Sequence, residues 1–136
     1  MPLSLDAAQT IISVAHEHAV SIGASITVAV VDEGGHLQAL GRMTGTAPLS
    51  AEIATVKAAT VALFRREGSD LRTTQEAAPA FFAQLDGAVR TPLLVGAGAR
   101  LILQGDVVLG ALAVSGGWTP GQDDDCAQAA LAQVSV

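Results

Sequence analysis

The residues of this sequence that could do chemistry are few and spread out. Asp32 and His36 bracket the glycine pair of VVDEGGHL, Arg42 closes the same run, and Glu52 and Lys57 lie in SAEIATVKAATVALF. An imidazole titrates near neutrality, so His36 can ligate iron or carry a proton, or serve as an exposed strand-end residue. Lys57 is the single lysine of the chain. Its stem can lie on apolar surface with the tip in water. Its amine can also hold a carboxylate at a pocket wall, or act desolvated with a lowered pKa. Arg42 offers a planar fork that suits a carboxylate. Glu52 reads as first-turn helix charge or as a general base.

The remaining candidates are weaker. His16 and His18 flank a predicted helix stripe, but residues two apart are turned by about 200°, so the pair cannot share one ion. Ser115, Gly116 and Gly117 precede a predicted helix and can lend N–H donors to a carboxylate or carbonyl, although Asp123, Asp124 and Asp125 oppose a phosphate there. Asp123 is expected to cap that helix. Asp32, Gly34 and Gly35 are explained by a turn in which the glycines take positive φ. Cys126 is the only cysteine, which excludes an intramolecular disulfide and a CxxC clip; it reads as buried and inert. No Ser-His-Asp order, Walker loop or zincin motif is present.

The elements that must position these residues follow from periodicity. Leu5, Ala8, Ile12, Ala15, Ala19 and Ile22 make one apolar stripe on a first helix, begun at Ser4 or Asp6 and closed by Gly23. Ile11, Val14 and Val20 fall outside it, a second apolar face that implies a symmetric partner. Residues 25–43 read as a β-hairpin. A second helix from Ser50 carries Ile53, Val56, Thr60, Leu63 and Phe64 on one face, with Arg65 and Arg66 at its end and Gly68 stopping it. Residues 74–86 form a short helix begun or broken at Pro79. RLILQGDVVLGALAV is a second hairpin, and residues 123–133 a last helix. Hairpins separated by helices give an α+β domain with one antiparallel sheet of four or five strands. All of 1–136 is expected to be a single domain.

Composition narrows the function classes. Seven Lys and Arg against thirteen Asp and Glu give a net charge of −6, with no basic run, which argues against nucleic acid. No apolar run is long enough for a membrane span, and MPLSLDAAQTII lacks the basic flank of a signal peptide, so a cytoplasmic location is expected.

Taken in order, VVDEGGHLQALGRM, SAEIATVKAATVALF and GDVVLGALAVSGGWTPGQDDDCAQAAL resemble the GlcG/HbpS family of small haem-associated domains, also found attached to PduO-type corrinoid adenosyltransferases. The resemblance covers essentially the whole chain. It implies a profilin-like fold in α/β/α layers, a homo-oligomer (often an octamer) and haem as a ligand. It further implies that His16 or His18 could be an axial iron ligand and that Arg42 or Lys57 could meet the propionates. The sequence departs from the family pattern at Thr44, where an acidic residue is usual, in TPLLVGAGARL, and at Trp118 beside two glycines.

Three functions follow. The first is binding or handling of haem in a homo-oligomer. The second is a cofactor-independent enzyme, of lyase or isomerase type, acting on a polar carboxylated substrate. Its pocket would be lined by Arg42, Thr44, Lys57 and Ser115, Gly116, Gly117 and Trp118, with His36, Lys57 or Glu52 as catalytic groups. The third is a non-catalytic accessory or assembly domain.

Overall fold

A computed structural model describes residues 2–134. Nine elements follow in the order α1 (Leu5–Ser21), β1 (Thr27–Asp32), β2 (Leu37–Arg42), α2 (Ser50–Phe64), α3 (Gly68–Ala77), α4 (Pro79–Ala88), β3 (Ala99–Gln104), β4 (Val107–Ser115) and α5 (Pro120–Gln133). The two hairpins join through β1 and β4 into a four-stranded antiparallel sheet of order β2-β1-β4-β3. Central β1 is covered on both faces, as its unbroken TVAVV run requires. Val28, Val30, Leu112 and Val114 meet α1 and α5 on one face, while Val31, Ala111 and Ala113 meet α2 and Leu71 of α3 on the other. The fold is α+β in α/β/α layers.

Local chemistry sets the ends of these elements. Ser4 Oγ accepts the Ala7 N–H and caps α1. Ile11, expected outside the core stripe, is fully buried in it, while Leu5 and Ile22 are exposed. The stripe is therefore rotated towards Ile11, because α1 packs on α5 as well as on the sheet. Val20 alone of the three remains exposed.

Helix α2 also lies differently from its expected face. It turns Ala54, Lys57, Ala58, Val61 and Ala62 inward, and leaves Ile53, Val56 and Phe64 half-buried on a flank with Leu63 exposed. Alanines bring the helix axis close to the sheet, so a layer of small side chains displaces the larger ones to the side. The helix stops at Phe64 with Arg65 in the left-handed conformation (φ 57°), and Gly68 opens α3 instead of closing α2.

The hairpin turn is built on the Asp32 carboxylate. Its Oδ1 accepts the backbone N–H of Gly34 and of His36, both at 2.9 Å. Only Gly35 has positive φ (79°). At Gly34 a Cβ would come within 2.8 Å of the His36 ring, so a larger residue would turn the imidazole away from Asp32.

Candidate functional site

The inward face of α2 carries one charged residue, Lys57, only 5% exposed. Its Nζ donates to the carbonyls of Ala97 at 2.7 Å and Val114 at 2.6 Å. These oxygens belong to the link entering β3 and to the end of β4. The amine thus ties α2 to both strands at one edge of the sheet. Gly98 makes this approach tight: its φ is 90°, and a Cβ would lie 2.8 Å from Val114 O and from Asp123 Cβ.

Asp123, 8% exposed, faces the amine with Oδ2 at 3.9 Å, and its Oδ1 accepts the Gly117 N–H at 2.9 Å. Desolvation holds the Lys57 amine below the usual lysine range, against the attraction of Asp123 and with repulsion from Arg72. Burial likewise pushes the Asp123 carboxyl up, against the pull of Lys57 and the Gly117 N–H. Both shifts favour the neutral forms.

Thr119, not Asp123, caps α5. Thr119 Oγ1 accepts the Gln122 N–H, and Gln122 Oε1 accepts the Trp118 N–H at 3.1 Å. These bonds hold residues 117–119 along the rim of a cleft of about 350 Å³, lined by Ile53, Lys57, Arg72, Ala97, Ser115, Gly117, Trp118, Thr119 and Asp123. Ser115 is 6% exposed, and its hydroxyl makes no hydrogen bond among the described residues. Arg72, exposed on α3, likewise has no hydrogen bond or ion pair there. Trp118 stands 97% exposed between this cleft and a second one of about 440 Å³ beside Ser25, Thr46 and Ala47.

Of the residues singled out from sequence, Lys57, Ser115, Gly117 and Trp118 converge here, while Gly116 borders the second cleft. Arg42 is exposed opposite Thr27 and donates from Nη1 to Thr46 O at 2.8 Å; neither it nor exposed Thr44 lines the Lys57 cleft. His36 lies at the far end of β2 from Arg42, about 20 Å away at strand rise. Its side chain is 81% exposed, and Nδ1 sits 3.1 Å from Asp32 Oδ1. Desolvation works against the ionised Asp32 carboxylate, but bonds from the N–H groups of His36 and Gly34 and from the imidazole outweigh it and hold its pKa down. His16 Nε2 is bonded to Gly41 O at 3.0 Å, which pins α1 to β2. His18, half-buried, and Glu52, exposed on the first turn of α2, have no side-chain bond among the described residues.

Two members of the cleft went unread in the sequence, Asp123 as the partner of Lys57 and Arg72. The first had a signal. T-P-G-Q at 119–122 places Thr at the N-cap, Pro at the first helical position and Gln at the third, a capping box that leaves Asp123 free. Arg72 had none, since α3 acquires its place only by packing Leu71 on the sheet layer. Among the described residues, no three His, Cys, Asp or Glu side chains gather to hold a metal ion, and no helix is long and apolar enough to cross a membrane. Cys126 is fully buried, its thiol pushed up to about 11 by desolvation and by Asp123 and Asp125.

A family model described as haem degrading protein HbpS-like matches residues 3–132. The chain belongs to the HbpS-like family. Among HbpS-like relatives, the GlcG protein of Escherichia coli K12 is 48% identical over 65 residues, 48% of each chain. The match thus spans about half the length of that curated relative. A double mutant of Streptomyces reticuli HbpS has a crystal structure similar to this fold, with TM-score 0.87 and 26% identity, covering 100% of this chain and 89% of that one. A PduOC:heme complex is similar at TM-score 0.87 and 25% identity, over 99% of this chain and 98% of that one.

Proposed function

We propose that this HbpS-like chain binds haem in a homo-oligomer, with His36 as the iron ligand. The observation that carries the reading is the state of the His36 ring. Its Nδ1 is engaged by the Asp32 carboxylate, while Nε2 has no partner among the described residues and the side chain is open to solvent. A carboxylate that fixes the far nitrogen orients the ring and raises its basicity as a metal ligand. The donor set therefore fits the group.

The surroundings agree with a porphyrin edge. Leu37 and Leu63 are exposed on either side of the turn, Leu63 against Gly35. Arg65 is anchored through Nη1 to the Glu33 and Ala62 carbonyls, and Arg66 is exposed beside it, a cation available to a propionate. Bound haem would supply an iron centre. The chain itself would orient the ligand ring through Asp32, cover the ring face with leucines and hold a carboxylate with arginine.

Assembly follows from what a single copy lacks. The His36 side chain stands open to solvent at the hairpin turn, so the second wall of a haem site would come from another copy. Exposed Val20, Ile22, Leu40 and Leu49 give further apolar surface for such contacts. The test is to titrate haemin into the purified protein and measure mass by sedimentation. A saturable haem absorbance on an oligomer supports the reading, and free haemin beside an unliganded monomer would refute it.

A further inference from the structure

We infer that the cleft between α2, α3 and the start of α5 is a second ligand site, separate from His36, and that it takes a small carboxylate. Four groups converge there. Lys57 is a buried cation at its floor, Arg72 a guanidinium at its wall with no partner among the described residues, Ser115 a hydroxyl with no hydrogen bond among them, and Asp123 the carboxylate facing Lys57.

Structural duty does not account for this set. Lys57 spends two N–H donors on the Ala97 and Val114 carbonyls, and its remaining position opens towards Asp123 at 3.9 Å, beyond a direct hydrogen bond. Arg72 could have paired with the neighbouring acids. Instead, Glu67 accepts the Leu101 N–H and Asp124 is held by both ends of the Arg100 fork, so Arg72 stays free.

The charges name the ligand class. Two cations against one carboxylate leave the cleft net positive within a chain of net charge −6. One negative charge with two oxygens suits an arginine fork, and a second polar group can reach Ser115 and the Lys57–Asp123 pair. A phosphate fits less well, because the Gly117 and Trp118 N–H groups that would receive it are already bonded to Asp123 and Gln122. A cleft of about 350 Å³ lies at the small end of ligand sites.

Trp118, the only tryptophan, lines this cleft and supplies the readout. Its emission is followed while acetate, pyruvate or inorganic phosphate is added at constant ionic strength. The inference predicts a saturable change with acetate or pyruvate, weakened at least tenfold in Arg72→Gln and clearly in Ser115→Ala. Arg72 is exposed, so that variant is expected to keep the parent circular dichroism and the parent haemin titration. This separates the result from the fate of the haem reading. Unsaturable emission with every probe, an unchanged response in Arg72→Gln, or tighter binding of phosphate than of either carboxylate would overturn it.

Discussion

Lys57 and Asp123 face one another across 3.9 Å, and each is held in place by backbone: the amine by two carbonyls, the carboxylate by the Gly117 N–H. This pair joins α2, the end of β4 and the start of α5. Its two members shift in opposite directions for the same cause, burial of charge.

Removing one partner therefore has a pH signature. Asp123→Asn keeps an acceptor for the Gly117 N–H but leaves Lys57 without a counter-charge, at a cost of about 3 kcal/mol near neutrality. The lysine pKa is already lowered in the folded state, so folding bears the cost of an ammonium below that folded value. The cost falls as pH rises towards 10.5, where the unfolded lysine also loses its proton. Urea unfolding of both proteins at pH 7 and near pH 10 is expected to show a gap that narrows at the higher pH.

Gly98→Ala is expected to destabilise by about 2 kcal/mol or more, through positive φ together with the contact at Val114 O. Equilibrium urea denaturation measures it.

Thr119→Ala removes the α5 cap and is expected to cost about 1 kcal/mol. Because Thr119 also lines the Lys57 cleft, its loss should shift Trp118 emission before any ligand is added. Thermal melts and steady-state fluorescence check the two effects separately.

The order of elements could be read from periodicity and turn residues because those signals are local. Two helix faces could not. Ile11 in α1 and the alanine face of α2 are chosen by what packs opposite, and neighbouring stripes on one helix look alike until the sheet selects between them. The site divided along the same line. Lys57, Ser115 and Trp118 stood out by type, and the helix and strand ends brought them together. Arg72 and Asp123 joined through tertiary contact, while His36, just before β2, and Arg42, at its end, stand at opposite ends of that strand.

Asp32→Asn tests the orienting role of the turn. The amide still accepts the Gly34 and His36 N–H groups but cannot match the carboxylate opposite the imidazole. Haem affinity is expected to fall about tenfold with the fold intact. Circular dichroism alongside haemin titration distinguishes a positioning effect from unfolding.

The most direct test is a haemin titration of the parent protein against His36→Ala, His18→Ala and His16→Ala, followed at the haem Soret band. A sharpened, shifted band that saturates in the parent, persists in His18→Ala and is lost in His36→Ala is the predicted result. No shift in the parent, or a shift that survives in His36→Ala and vanishes in His18→Ala or His16→Ala, would contradict the assignment of the iron ligand to the Asp32-held ring.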